Sequence, residues 1–226
     1  MIRLPLIICL GLSIFHQAFS QNMQKKNYTY LALGDSYTIG ESLPLQDNFP
    51  NQTVQLLKDA GFYVEQPTIV AKTGWTGEEL QWGIGNRVQQ KAQYDIVSLL
   101  IGVNNQYRGG DLEEYAKQFE ELVQKAVQFA GNKATHVYVL SIPDWGATPY
   151  AEGKDRATIA KEIDGFNQVN KTLSEKWKVN YINITPGSRQ VAVDQSLIAA
   201  DGLHPSAKEY KRWAEKLATA IQQQFH

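Results

Sequence analysis

Apolar and polar positions alternate along this chain in blocks of two different periods. Short, nearly continuous apolar runs occupy 28–33, 68–71, 94–101, 136–142 and 179–184. Runs of this length, without a polar residue at every second position, predict strands buried on both faces of a sheet. The second run belongs to a longer extended stretch, 62–71, that Pro67 interrupts, which puts its paired part at 68–71 and suits a sheet edge. Between the runs the period becomes helical. Thr53, Val54, Leu56 and Leu57 recur at helical spacing and stop before Gly61, a favourable residue just past a helix end. Thr76 and Glu79 have capping-box spacing and predict a helix through Leu80, Ile84 and Val88. From 111 to 130 an apolar stripe runs through Leu112, Tyr115, Phe119, Leu122, Val123, Ala126 and Val127, and Gly131 closes it. Helices are expected at about 155–177 and 206–225, and loops at 37–50 and 143–153. Strand and helix alternate throughout, which predicts a three-layer α/β/α sandwich: a five-stranded parallel sheet with helices on both faces and right-handed crossovers.

The 226 residues, 43% of them hydrophobic, suit one medium-sized domain, and no repeat or linker divides the pattern. Charge changes the picture only by exclusion. There are 22 basic and 23 acidic residues, and the longest basic cluster is Lys25-Lys26, so a nucleic-acid partner is not expected. The N-terminus stands apart. Arg3, an apolar stretch at 4–15 and the small-x-small triplet Ala18-Phe19-Ser20 have the layout of a signal peptide. The expectation is a signal peptide at 1–20, cleavage before Gln21, and a secreted or periplasmic domain at 21–226. A membrane anchor needs about 18 to 20 apolar residues, whereas this run stops at His16-Gln17; bulky Ile8 before Cys9 argues against a lipidation box. No stable membrane anchor is therefore expected in the mature chain. Cys9 is the only cysteine, so cleavage would leave none for disulfides, thiolate metal sites or cysteine catalysis.

The candidate chemistry lies where strands end. Gly34-Asp35-Ser36 follows the first strand and sets a hydroxyl on a small, flexible corner. Thr73-Gly74 follows the second strand and Gly102-Val103-Asn104 the third. In a parallel sheet all three share one rim, where ligands bind at the point at which strand order reverses. A fourth contributor, Asp201-Gly202-Leu203-His204-Pro205, precedes the last helix. Of the four histidines, His16 leaves with the signal peptide, His226 is terminal and His136 opens a strand on the opposite rim. His204 alone is placed to act, and Asp201 three residues earlier can fix its tautomer and stabilise the imidazolium.

These blocks resemble the SGNH/GDSL hydrolase family. Gly34-Asp35-Ser36-Tyr37, Gly74, Gly102-Val103-Asn104-Asn105 and Asp201-Gly202-Leu203-His204 match its motifs in order, over nearly the whole mature chain. The resemblance implies a flavodoxin-like sandwich, Ser36 as nucleophile, His204 as general base and then acid, and Asp201 as the orienting carboxylate. It also implies an oxyanion hole built from the Ser36 and Gly74 N–H groups and the Asn104 side-chain amide. Two positions depart from the family pattern. Tyr37 replaces the usual Leu beside the nucleophile, and Asn105 replaces the usual Asp, which touches a secondary hydrogen bond but not the oxyanion donor.

No Gly-x-Ser-x-Gly occurs, so the nucleophile elbow of ordinary α/β-hydrolases is missing. No residue cluster has zinc-ligand spacing, and neither a metal nor a cofactor is expected. Trp75, Tyr107, Trp145 and Tyr150 fall in loops on the active rim; the first three are taken as candidate substrate contacts, against the alternative that loop aromatics cap the core. The functional expectation is a serine esterase that cleaves an ester, or a thioester, through an acyl-enzyme. Acetylated glycans, lysophospholipids and thioesters all remain open as substrates. The rival from another class is a non-catalytic protein that binds an O-acylated glycan on the same fold.

Overall fold

The computed structural model describes residues 26–89 and 92–225; the signal peptide expected at 1–20 lies outside the described residues. The first apolar run is split. Strand β1 (Asn27–Tyr28) ends at Thr29, and β2 (Tyr30–Gly34) follows. The break has a local cause. Thr29 donates its N–H and hydroxyl to Asp95 Oδ2 at 3.0 and 3.2 Å, and Lys26 pairs with the other oxygen of the same carboxylate. β1 pairs instead with β3 (Tyr63–Val64) in a separate two-stranded sheet. The main sheet continues with β4 (Thr68–Ala71), β5 (Ile96–Leu100), β6 (Val137–Leu140) and β7 (Asn180–Ile182).

The main sheet has the order β4-β2-β5-β6-β7, and every neighbouring pair is parallel. The edge position of β4 agrees with Pro67 beside it. The three central strands, β2, β5 and β6, are buried along their whole length, as continuous apolar runs require. The chain leaves β2 for β4 and then jumps back to β5, so the order reverses between β2 and β5. With right-handed crossovers, this reversal puts the helix of the first crossover on one face of the sheet and the helices of the later crossovers on the other. Helix α2 (Phe49–Asp59) packs with α8 (Ala207–Phe225), whereas α5 (Leu112–Phe129) packs with both α3 (Gly77–Arg87) and α6 (Arg156–Trp177). α5 buries Tyr115, Phe119, Leu122, Val123 and Ala126 of the predicted stripe and adds Phe129, whereas Leu112 at its first turn is exposed and Val127 is half-buried. Phe119, Leu122, Val123 and Phe129 each contribute about 1.5–3 kcal/mol on full burial.

Three one-turn helices, α1 (Ser36–Ile39), α4 (Val103–Tyr107) and α7 (Thr185–Ser188), complete the fold, the first two just beyond the ends of β2 and β5. The region expected as loop at 37–50 therefore contains α1 and the start of α2. The Asp35 carboxylate caps α1 by accepting Tyr37 N–H at 3.0 Å. α2 begins at Phe49, with Asn48 as its cap and Pro50 in the first turn, where a missing N–H costs nothing. Gly34 is demanded by close approach. A Cβ there would lie 2.1 Å from Thr38 Oγ1 and 2.4 Å from Leu100 O, so α1 could not fold back over the end of β2.

Candidate active site

Ser36 is the first residue of α1, one step past the β2 corner, and is 4% exposed. His204, 6% exposed, reaches it from a loop 168 residues later: Nε2 lies 2.9 Å from Ser36 Oγ. The other ring nitrogen, Nδ1, lies 2.7 Å from Asp201 Oδ2. A serine hydroxyl, an imidazole and a carboxylate are thus hydrogen-bonded in series, the order in which a proton can leave the serine while the imidazolium is stabilised. The loop that carries the last two is tightly held. Ala199 N–H donates to His204 O at 2.7 Å, Ser206 N–H to Leu197 O at 2.9 Å and Gly202 N–H to Ala199 O at 3.0 Å.

Burial would raise the pKa of Asp201, but hydrogen bonds from the Ser42 hydroxyl, the His204 ring and the N–H groups of Leu203 and His204 outweigh it and hold the carboxyl at about 2. Asp201 stays ionised over any working pH. Asp35 behaves in the opposite way. It has no exposed surface, and burial pushes its carboxyl up to about 7, against the lowering effect of Tyr37 N–H and the Asn104 amide. The Tyr37 ring lies 5.0 Å from the His204 ring and forms the wall beneath it.

The three predicted oxyanion donors come from three separate segments. Among the described residues, the N–H groups of Ser36 and Gly74 make no hydrogen bond. Gly74 has φ +82°, and its carbonyl is held from outside by Arg108 Nη2 at 2.6 Å. Asn104 Nδ2 donates to Trp75 O at 3.1 Å and makes a long contact, 3.4 Å, with Asp35 Oδ2. Asn105, the departure from Asp, accepts Gly77 N–H at 3.0 Å and donates to Gln118 Oε1 at 3.1 Å. It pins the start of α3 to α5 and uses a donor that a carboxylate would lack.

A cavity of about 180 Å³ opens beside Ser36 and His204, lined further by Gly74, Asn104, Tyr107 and Trp145. Tyr150 joins this wall, its hydroxyl 3.0 Å from that of Tyr107, and Trp145 is fixed by its Nε1–H to Gln106 Oε1 at 2.7 Å. Trp75 does not belong here, a correction to its expected role as a substrate contact. Its ring turns into the core, under the Arg87 guanidinium at 5.1 Å, and lies against Gly83, where a Cβ would come within 2.1 Å of it. Only its carbonyl serves the site, as the acceptor for Asn104. Ser42 is the residue that sequence reasoning missed. Nothing in its neighbourhood in the chain pointed to Asp201, 159 residues away.

Fold and site together define a class: a parallel α/β/α sandwich with serine, histidine and aspartate linked in series over a cavity at the carboxyl rim of the sheet. Residues 32–212 match the model of the GDSL-like lipase/acylhydrolase family. The chain belongs to this family, the SGNH/GDSL hydrolases, and by that membership is a carboxylic ester hydrolase. Solved structures with the same fold include the lipase Lip_vut3 from a goat rumen metagenome (21% identity, 86% of this chain and 97% of that one, TM-score 0.68). Others are a lipase/acylhydrolase from Enterococcus faecalis (17%, 87% and 96%, TM-score 0.67) and the acetylxylan esterase Axe2 from Geobacillus stearothermophilus (20%, 89% and 95%, TM-score 0.64). No curated protein sequence matches the chain.

Proposed function

We propose that the chain is a secreted serine esterase that works through an acyl-enzyme on Ser36. The observation that carries this reading is the unbroken hydrogen-bond series from Asp201 through His204 to Ser36, 2.7 and 2.9 Å, ending at the cavity. Ser36 Oγ attacks the ester carbonyl carbon while its proton passes to His204 Nε2, and Asp201 holds the imidazolium by Nδ1–H. The carbonyl oxygen becomes an oxyanion that accepts hydrogen bonds from Ser36 N–H, Gly74 N–H and Asn104 Nδ2. Collapse breaks the ester C–O bond, and His204 returns the proton to the leaving alcohol. Water then repeats the sequence on the acyl-serine and releases the acid.

The Asn104 assignment makes a separable prediction. Trp75 O takes one amide hydrogen of Asn104 and leaves the second, engaged only by the long Asp35 contact, for the oxyanion. Asn104→Ala should lower kcat by about 10²–10³-fold with little change in KM, since the donor acts mainly in the transition state. A variant that keeps normal kcat but melts earlier would return Asn104 to the role of a turn residue.

The acyl group that fits is short. The cavity, about 180 Å³, falls below the roughly 300–1,000 Å³ usual for a pocket that encloses a whole small molecule, and the Tyr107–Tyr150 pair walls it. Two of the structures with this fold are described as acetylxylan esterases, which is consistent with a small acyl group on a carbohydrate. The test is a series of p-nitrophenyl esters with the purified chain. The expected result is that kcat/KM is highest for acetate to butyrate and falls at least tenfold by octanoate. A maximum at palmitate would overturn the short-acyl reading, and no turnover of any ester would overturn the proposal as a whole.

A further inference from the structure

The turn after α1 contains an anomaly. Gly40 O accepts Leu43 N–H at 3.1 Å, which closes a four-residue turn with Ser42 in its third position at φ +68°. A third turn position at positive φ is where glycine or asparagine is favoured, because a Cβ is strained there. Three non-glycine residues among the described ones have positive φ: Ser42, Asn132 and Lys178. Lys178 caps the end of α6 and Asn132 follows the end of α5, ordinary helix-terminating places. Ser42 terminates no helix, since Gly40 already caps α1.

What the strained residue does is visible in its side chain. Ser42 Oγ donates to Asp201 Oδ2 at 2.6 Å, in the range of a charge-assisted O–H···O⁻ bond. The same oxygen faces His204 Nδ1 at 2.7 Å. The other oxygen, Oδ1, accepts Leu203 N–H and His204 N–H, both at 2.9 Å. Three of the four bonds to this carboxylate come from within its own loop. Ser42 supplies the fourth, and it sits on the connection that carries Ser36. The adjacent Glu41 accepts the Thr73 hydroxyl, so the same turn also touches the segment that presents Gly74.

We propose that Ser42 is a positioning residue: its hydroxyl sets the rotation of the Asp201 carboxylate toward His204, and the chain carries a strained serine in the turn to place that hydroxyl. Asp201 is thereby registered against the segment of the nucleophile instead of following the movements of its own loop. The inference rests on the proposed roles of Ser36, His204 and Asp201.

The test compares Ser42→Gly and Ser42→Ala on a short-chain aryl ester. Both lose the hydroxyl, but only glycine relieves the strain. Each variant should lose about five- to thirtyfold in kcat with KM within about twofold, below the 10–100-fold typical where the partner that orients a metal ligand is removed, because Ser42 is exposed. The melting temperature of Ser42→Gly should equal or exceed that of the parent. A drop in kcat together with unchanged or raised stability is a combination that a purely structural serine would not give. In an Asp201→Ala background, Ser42→Gly should cost nothing further. Full kcat in Ser42→Gly, or the same fold-loss in the Asp201→Ala background, would overturn the proposal. Full activity of Asp201→Ala alone would instead overturn the triad reading on which it rests.

Discussion

Ser36→Ala should lower kcat by about 10⁵–10⁶-fold, the usual cost of removing a nucleophile that works with a base as a unit. The residual rate should come from binding and oxyanion stabilisation alone. Stability should change little. The Ser36 hydroxyl has one side-chain partner, His204 Nε2, which faces the cavity and can be solvated when the hydroxyl is removed. The β2 corner is set by Gly34 and by the Asp35 cap, neither of which depends on the serine side chain. A loss of no more than about 1 kcal/mol is expected, the net worth of one hydrogen bond, since no large cavity opens and no charge is stranded. Ester hydrolysis by the purified variant at a tenth or more of the parent rate would remove Ser36 from the mechanism.

His204→Ala should be as damaging as Ser36→Ala, and the double variant should be no worse than either. A nucleophile without its base and a base without its nucleophile are equally idle, so the free-energy losses do not add. Steady-state rates of the three variants measure this directly; a double variant slower than both by the product of the single losses would mean that the two residues act independently. The pH profile adds a second check. In the parent, kcat/KM should rise with pH, because the imidazole must be unprotonated to take the serine proton. Asp201, held at about 2, contributes no limb to that rise. Asp35, pushed up to about 7 by burial, is the other carboxyl near the site that changes charge near neutrality. The residual activity of His204→Ala should lose the dependence that belongs to the imidazole, and Asp35, raised by burial and in long contact with Asn104, is the carboxyl beside the site left to titrate.

The parts of the fold that were legible in the sequence are those in which one physical demand dominates. A strand buried on both faces must be apolar throughout, so β2, β5 and β6 announced themselves, and α5 did so through its stripe. The capping box at Thr76 and Glu79 is present with both of its hydrogen bonds. Legibility failed where a local preference met a tertiary partner. Thr29 looks like strand, yet its N–H and hydroxyl turn to Asp95, 66 residues away. Pro50 looks like a helix stop, yet Asn48 caps a helix before it. Trp75 lies next to Gly74, so its backbone is on the rim; its ring turns inward because Gly83 leaves room for it. At the site, the strand-end positions of Ser36, Gly74 and Asn104 were readable from the order of the runs, while the roles expected of them came with the family resemblance. Ser42 was not, because a serine between Gly40 and Pro44 reads as plain loop, and its importance lies in a turn conformation and a distant partner.

The central claim is that Ser36 Oγ forms a covalent bond with the acyl carbon, activated by His204. The most direct measurement is intact-mass and peptide mapping after reaction with a fluorophosphonate, whose phosphorus is attacked as the ester carbonyl would be. The account predicts one adduct per chain, on the peptide that contains Ser36, absent from Ser36→Ala and formed far more slowly by His204→Ala. An adduct at another residue, or none on a preparation that hydrolyses esters, would contradict it; no adduct and no hydrolysis would favour a protein that only binds acylated glycans.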